Sequence, residues 1–208
     1  SHVKEFKLVN SFHYEEEIYK KKSEKKHILL LELPPNYLDV SEITGKFNKK
    51  ELNEHYLQLN NFLIKLKNLY KKKIIVSISP KYKFKEARLR FKNFKIVNRN
   101  VQNYIRDSFM IVFYDSSVIL YAALSKKPII NIKSEIYEKR NFKTNLYNQL
   151  LNLKEINIYD DFNYNKIEFM KDLKKRVKSY NNFFKKYLPK NKNSGNKEII
   201  KIIKKKYF

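Results

Sequence analysis

Short runs of consecutive apolar residues alternate along this chain with longer segments in which apolar residues recur every three or four positions. Residues 27–33, HILLLEL, are almost uniformly apolar and stop at Pro34-Pro35, which is typical of a strand buried on both faces. In residues 48–71 the spacing predicts a long amphipathic helix with one apolar inner face. That face comprises Leu52, Tyr56, Leu59, Leu63, Leu66 and Tyr70.

The same alternation continues to residue 184 and predicts an α/β fold. Further strands are expected at residues 73–78, 94–97, 109–114, 128–132 and 156–159. Helices are expected at residues 101–107, with Asn100 as the cap, and at 117–124, 144–153 and 163–184, while residues 81–93 are interpreted as a basic connection. The inner face of the last helix should carry Ile167, Met170, Leu173, Val177 and Phe184. The strands alternate with helices, and most of the strands are continuous apolar runs. This pattern predicts a single Rossmann-like, doubly wound parallel sheet.

Composition shifts divide the chain into three segments. Residues 1–26 are polar and charged and are interpreted as a linker or an opening helix. Residues 27–188 form the Rossmann-like domain, and residues 189–208 a basic linker and C-terminal helix, which could lie on an anionic membrane or pack back on the domain. Because the chain begins Ser1-His2 without a methionine, we expect a fragment of a longer protein.

The formal net charge of +25 indicates an anionic partner only weakly. Six of the 46 basic residues are arginine, and lysine is a point charge without the fork that arginine offers to phosphates and bases. The abundance of Lys, Asn, Ile and Tyr is typical of an AT-rich genome. An anionic membrane surface is therefore favoured over nucleic acid as a second partner. The chain has no cysteine, which excludes disulfides and thiolate metal sites. With no secretory signal visible, we expect a cytoplasmic location, with peripheral attachment to the inner membrane face as the alternative.

Residues 109–132, FMIVFYDSSVILYAALSKKPIINI, carry the strongest chemical signal. Asp115-Ser116-Ser117 lies where a strand ends and a helix is expected to begin, an arrangement that can hold a phosphate. The only glycines, Gly45 and Gly195, exclude a dinucleotide fingerprint and a P-loop, so serine hydroxyls and first-turn amides would have to do this work. The alternative is that Asp115 or Ser116 simply caps the helix.

This run resembles the C-terminal nucleotide-binding domain of GT-B glycosyltransferases, above all bacterial families that build capsule, lipopolysaccharide and teichoic acid. The resemblance spans residues 27–160, but its specific part is the run DSSVILYAALSKKPIINI. It implies that Ser116 and Ser117 hold the nucleotide phosphates and that Lys127-Pro128 sets the turn into the next strand. It also implies that Glu135, Tyr137 and Arg140 contact ribose or phosphate.

The sequence departs from that family pattern in two ways. Many members carry His-Pro after the second strand, whereas this chain carries Ser79-Pro80; Ser79 can donate a hydrogen bond but cannot exchange protons near neutral pH. A GT-B enzyme also has two Rossmann-like domains, of which one binds the acceptor and usually supplies the general base. This chain has room for only one such domain, and the acceptor domain is not it. We therefore assign no catalytic residue and expect little turnover from this chain alone.

The resulting hypothesis is a nucleotide-sugar donor-binding domain of a surface-polysaccharide glycosyltransferase, which takes the donor as substrate and requires no metal or other cofactor. The four histidines are widely spaced and are interpreted as incidental, with His55 on a mostly exposed helix. The alternative function is a non-catalytic, basic, flavodoxin-like module that binds nucleic acid or an anionic membrane.

Overall fold

The computed structural model describes residues 25–33, 48–80, 82–114, 116, 118–134, 136 and 142–187. These residues form a six-stranded sheet with helices on both sides. The strands are β1 His27–Glu32, β2 Lys73–Ile78, β3 Lys95–Val97, β4 Ser108–Phe113, β5 Ile129–Lys133 and β6 Lys154–Asn157. The helices are α1 Lys49–Tyr70, α2 Phe84–Arg90, α3 Val101–Arg106, α4 Ile119–Leu124, α5 Phe142–Leu151 and α6 Lys166–Tyr187.

The strand order is β3-β2-β1-β4-β5-β6, and each neighbouring pair is parallel. This is the order of a Rossmann-like, doubly wound sheet. The predicted fold class is therefore confirmed. The chain moves outward from β1 to β3, then returns through α3 to the other side of β1, so the winding direction reverses between β1 and β4.

Successive residues of the central strands alternate between two apolar cores. Ile28 and Leu30 face one core with α1 and α2, while Leu29 and Leu31 face the other with α3, α4 and α5. All four side chains are buried because the sheet is covered on both faces. The continuous apolar runs in the sequence follow from this coverage. All six predicted inner-face residues of α1 are buried, which confirms that part of the helix prediction.

Helix α1 begins at an Asn48 capping box. The Asn48 side chain accepts from the Glu51 amide at 2.8 Å, and the Glu51 carboxylate accepts from the Asn48 amide at 2.9 Å. Two otherwise unsatisfied amides are thus paired. The negative charge of Glu51 also interacts favourably with the positive, amino end of the helix dipole.

Helix α2 lies in the segment that the sequence assigned to a basic connection. Only Ala87 of this seven-residue helix is buried, with Phe91 directly after it, while Leu89 points outward and is 64% exposed. This explains why the sequence did not predict the helix. Two buried residues four positions apart are too few to reveal a helical period of apolar residues, and the exposed leucine adds an apolar residue that does not fit that period.

Helix α6 passes from one face of the sheet to the other across its amino edge. Phe169 and Leu173 belong to the core beside α1, whereas Tyr180 belongs to the core beside α4 and α5. At one end, Tyr70 at the end of α1 donates to the Lys166 carbonyl at 3.5 Å. Further along, Arg176 donates to the carbonyl of Leu153, just before β6, at 3.2 Å. Helix α6 therefore packs against the apolar cores on both faces of the sheet.

Several predicted boundaries and roles need correction around α6 and β6. Helix α6 begins at Lys166, where the Asn165 side chain accepts from the Ile167 amide at 2.9 Å, and not at residue 163. Ile167 was assigned to the inner face but is 78% exposed. Strand β6 begins at Lys154, two residues earlier than predicted, because an edge strand accepts polar residues such as Lys154 and Glu155.

Among the residues that the structure describes, four non-glycine positions adopt left-handed backbone angles, namely Lys71, Asn100, Lys126 and Asn152. Lys71, the C-cap of α1, has φ 54° and ψ 39°. Asn100 precedes α3, as predicted, but makes no capping hydrogen bond with its side chain. Positions of this kind usually belong to glycine, and this chain fills them with lysine and asparagine at a conformational cost. None of the described helices is long and apolar enough to cross a membrane.

Candidate binding site at the carboxyl edge

The reversal in winding between β1 and β4 opens a cavity of about 820 Å³ at the carboxyl ends of the strands. Helices on opposite faces of the sheet diverge at such a point, which is where open α/β sheets bind ligands. We call this space the carboxyl-edge cavity. Its lining residues are Leu31, Glu32, Leu33, Ser77, Ile78, Ser79, Pro80, Asn98, Arg99, Asn100, Val101, Gln102, Ser116, Val118 and Tyr147.

Two of the residues predicted from sequence to bind phosphate line this cavity together. Ser79 follows β2, Ser116 follows β4, and both side chains are half-buried. The predicted contacts Ser117, Glu135 and Arg140 lie outside the described residues, as do Asp115 and Tyr137. The structure thus brings Ser79 and Ser116 to one site, and their binding of phosphate stays a prediction.

The local geometry of Ser116 differs from the expected helix start. Helix α4 begins at Ile119 rather than residue 117, and its N-cap position is Val118, whose side chain makes no capping bond. The Ser116 Oγ atom instead accepts a long hydrogen bond of 3.4 Å from the Val118 amide. Because α4 has only six residues, its dipole is small, so a phosphate here would depend on side-chain donors more than on the helix.

Glu32, the last residue of β1, is the most unusual group on the cavity wall. Its side chain is buried, and its Oε1 atom accepts a hydrogen bond of 3.0 Å from the Tyr56 hydroxyl. Its Oε2 atom is buried without a hydrogen-bond partner among the described residues. Burial raises the pKa of Glu32 to about 7, against the opposing effects of the Tyr114 and Tyr56 hydroxyls and the Arg90 charge. The carboxyl is therefore partly protonated at neutral pH.

Tyr114 joins the ends of the two strands that border the switch point. It directly follows β4, and its hydroxyl accepts from the Leu33 amide at 2.9 Å. The same hydroxyl donates to the Leu33 carbonyl just beyond β1. Both backbone groups of Leu33, beside Glu32, are thereby satisfied by one side chain at the rim of the carboxyl-edge cavity.

His55 is buried, which corrects the prediction that it sits on a mostly exposed helix. Its Nδ1 atom is 2.8 Å from the Ser134 Oγ atom, which follows β5, and its exposed fraction is 0%. Burial, and then the Arg90 charge, lowers the pKa of His55 to about 3. The imidazole is consequently neutral across physiological pH and ties α1 to β5 as a structural residue.

Arg99 is the only lysine or arginine that lines the carboxyl-edge cavity within the described part of the chain. It lies in the loop between β3 and α3, with an exposed side chain. A guanidinium at this place can bind a phosphate in a bidentate manner. The described residues contain no group of three or more His, Asp or Glu side chains that could hold a metal ion.

Sequence reasoning missed Glu32, Ser77 and Arg99 as site residues. Glu32 did leave a signal, since it is the one acid in a run otherwise suited to a strand buried on both faces. An ionisable residue at such a position is a candidate for a perturbed pKa and a function. Arg99 left no such signal in the sequence, because only the path of the β3–α3 loop brings it to the site.

No protein-family model matches this chain, and no curated protein matches it. Among solved structures, a crystal structure of Methanocaldococcus jannaschii UDP-GlcNAc 2-epimerase in complex with UDP-GlcNAc and UDP is similar, with a TM-score of 0.40 and 17% identity. That alignment covers 88% of this chain and 46% of the epimerase chain. The crystal structure of TarM has a TM-score of 0.43 and 15% identity, over 96% of this chain and 37% of the TarM chain.

This chain therefore spans less than half the length of either similar protein. Values of identity and TM-score this low identify no ligand and no activity. The Rossmann-like fold rests on the order and direction of the strands.

Proposed function

We propose that this chain is the nucleotide-sugar donor-binding domain of a GT-B-like glycosyltransferase of bacterial surface polysaccharide synthesis. The observation that carries the proposal is the carboxyl-edge cavity, which opens at the switch point of a Rossmann-like sheet and brings Ser79, Ser116 and Arg99 together. A volume of about 820 Å³ lies within the range of small-molecule sites.

The nucleotide phosphates occupy the part of the cavity beside Ser79, Ser116 and Arg99. The Ser116 Oγ atom accepts from the Val118 amide, so its own hydrogen is free to point toward a phosphate oxygen. Hydroxyl donors and a guanidinium can bind a diphosphate without glycine and without a metal ion. Ser117 and Arg140 are proposed to add to this set by the family resemblance.

Glu32 lies on the β1 side of the same cavity, and its Oε2 atom is buried, so its side chain is proposed to turn toward the cavity to meet a hydroxyl group of the ligand, on the ribose or the sugar. Its Oε2 atom needs a partner, and a hydroxyl can donate to the carboxylate or accept from the protonated acid. A buried oxygen left unpaired is costly, so a ligand that pairs it gains affinity. Glu135 is proposed as a further contact to the ribose.

The acceptor domain and the catalytic base are proposed to lie in a second Rossmann-like unit. Among the described residues that line the cavity, Glu32 alone has a pKa near 7, and because its Oε1 atom already accepts from the Tyr56 hydroxyl we assign it to binding a ligand hydroxyl rather than to the base. In the complete enzyme the donor phosphates would take up negative charge as the glycosidic bond breaks, and Arg99 with the serine hydroxyls would stabilise that charge.

Calorimetric titration with UDP, CDP, GDP and CMP tests the binding proposal. We expect at least one nucleotide to bind with a Kd below about 1 mM, and Ser79→Ala/Ser116→Ala to weaken it by about ten-fold or more. Arg99→Gln should weaken a diphosphate more than a monophosphate, because the latter offers fewer oxygens and less charge.

Arg88→Gln is the matched control, since Arg88 stacks on Phe84 of α2 and does not line the cavity. Its affinity should equal that of the wild type. Absence of binding at millimolar nucleotide, or equal binding by wild type and the double serine variant, would overturn the proposal.

A further inference from the structure

The amino edge of the sheet, opposite the nucleotide site, carries a dense set of lysines around two cavities. The first cavity, about 920 Å³, lies at the amino ends of β1, β2 and β3, where His27, Lys73 and Lys95 start their strands. The second, about 880 Å³, lies between the end of α1 and the first half of α6. We call the lysines of both cavities the lysine edge. They are Lys26, Lys67, Lys71, Lys72, Lys73, Lys95, Lys166, Lys171, Lys174, Lys175 and Lys178.

The two cavities form one continuous surface. Tyr70 in the second cavity directly precedes Lys71 in the first. The Lys72 ammonium of the first cavity lies 5.7 Å from the centre of the Phe109 ring in the second. Positive charge is therefore concentrated on one edge, where it adds to a single attractive field.

Acidic side chains barely offset this charge. Asp107 is the only acidic residue that lines either cavity among the described residues, and Arg106 already pairs with it at 3.2 Å. On α6, Asp172 is engaged by Lys154 at 3.5 Å and by Arg176 at 3.1 Å. The other acid of this helix, Glu168, is exposed next to Ile167 but lines neither cavity, so it offsets one of the lysine charges there.

The second cavity adds an apolar component to the charge. Its wall includes Tyr70, Phe109 and Met170, and Ile167 at its rim is 78% exposed. An exposed aliphatic side chain on a helix ringed by lysines is the arrangement with which amphipathic helices lie in a membrane interface. The position of Ile167 in the first turn of α6 places it among Lys166, Lys171 and Lys174.

We propose that the lysine edge docks this protein on an anionic lipid bilayer, with Ile167 entering the interface and the lysines contacting lipid phosphates. Lysine rather than arginine suits a diffuse phosphate surface that needs no bidentate geometry. This docking would turn the carboxyl ends of the strands away from the lipid, with Asn100 as a lining residue that the first cavity shares with the carboxyl-edge cavity.

The same surface is a poor fit for single-stranded nucleic acid. Binding there depends on exposed aromatic rings on which bases stack. Four described aromatic residues line the two cavities. Tyr70 is only 6% exposed, Lys72 lies over the Phe109 ring, Lys95 lies over the Tyr104 ring, and Phe94 packs partly against the core. The side chain most available for insertion is aliphatic and cannot stack on a base.

Vesicle co-sedimentation of the full chain tests the proposal. We expect binding to phosphatidylcholine vesicles that contain roughly 30% phosphatidylglycerol, no binding to pure phosphatidylcholine, and an affinity that falls as salt rises. Lys171→Glu/Lys174→Glu/Lys175→Glu should weaken binding by about a hundred-fold or more. Ile167→Ala should weaken it by a few fold while the salt dependence stays the same.

The control triple is Lys49→Glu/Lys50→Glu/Lys85→Glu, which changes the net charge equally with exposed lysines away from both cavities. It should lose far less affinity than the α6 triple, and circular dichroism should show both triples folded. Equal losses for the two triples, or no binding of the wild type to anionic vesicles, would overturn the proposal. Tighter binding of a single-stranded oligonucleotide, with the same dependence on the α6 lysines, would overturn it in favour of nucleic acid.

Discussion

The hydroxyl of Tyr114 makes two hydrogen bonds with a single residue, accepting from the Leu33 amide and donating to the Leu33 carbonyl. Tyr114 follows β4 and Leu33 follows β1, so one phenol joins the two strands between which the sheet reverses its winding. The same hydroxyl lowers the pKa of Glu32, although burial keeps that pKa raised overall. Tyr114 therefore influences both the backbone geometry and the carboxyl protonation at the proposed nucleotide site.

Tyr114→Phe should lower the free energy of unfolding by about 1–3 kcal/mol, because two part-buried hydrogen bonds are lost with little change in shape. It should also raise the pKa of Glu32 above about 7. Urea denaturation measures the first effect, and an NMR titration of labelled glutamate measures the second. Tyr164→Phe, which removes the hydroxyl of a more exposed ring, should change neither. An unchanged stability in Tyr114→Phe would contradict the role given to the Leu33 contacts.

Glu32→Gln should change how stability depends on pH. The folded pKa of Glu32 is raised from 4.5 to about 7, so the folded protein holds a proton that the unfolded chain has lost in this range. Its contribution to the free energy of unfolding therefore falls as pH rises from 4.5 to about 7, at a limiting slope of about 1.4 kcal/mol per pH unit. Glutamine removes this contribution, and thermal or urea unfolding across the pH range would reveal the difference in slope.

His55→Phe should produce the opposite change. Burial lowers the folded pKa of His55 from 6.5 to about 3, so in this window the unfolded chain binds a proton that the folded protein does not. Its contribution to stability is complete above pH 6.5 and is lost as the pH falls toward 3. Between pH 4.5 and 6.5 the slopes of Glu32 and His55 have opposite signs and offset each other. Relative to the wild type, stability should therefore rise more with pH in Glu32→Gln and less in His55→Phe; changes of the same sign would refute this account.

Lys126→Gly should stabilise the protein by up to about 1 kcal/mol, because Lys126 has φ 52° and glycine adopts this region without a steric penalty. The Lys126 side chain is exposed, so little packing is lost. Lys174→Gly provides the contrast, since this exposed lysine lies inside α6 and the change should destabilise by roughly 1 kcal/mol. Midpoints of thermal unfolding that shift in opposite directions in the two variants would support the left-handed backbone conformation of Lys126. A loss of stability in both variants would contradict it.

The sequence predicted the sheet well because strands buried on both faces leave long apolar runs. All six strands correspond to predicted segments, and six of the eight buried residues of α1 were identified, the exceptions being His55 and Phe62. Prediction failed where tertiary context overrides the local pattern. Helix α2 buries only Ala87, and Ile167 sits at an apolar position in the first turn of α6 yet points to solvent.

The site was predicted only in part, for a related reason. Ser79 and Ser116 could be placed together because the carboxyl ends of parallel strands meet at one edge. Arg99 reaches that edge through the β3–α3 loop, whose path no periodicity encodes. His55 appeared incidental since its partner Ser134 is 79 residues away in sequence, and a buried pair of this kind is visible only in the folded chain.

Helix α6, which contributes to the cores on both faces of the sheet, also constrains the order in which this protein folds during synthesis. It is the last described element to leave the ribosome, and both cores stay open along the amino edge until Phe169, Leu173 and Tyr180 have emerged. A nascent chain that stops before residue 166 would expose apolar surface on two sides at once. Such a chain is a better substrate for chaperones and proteases than one that stops after α6 is complete.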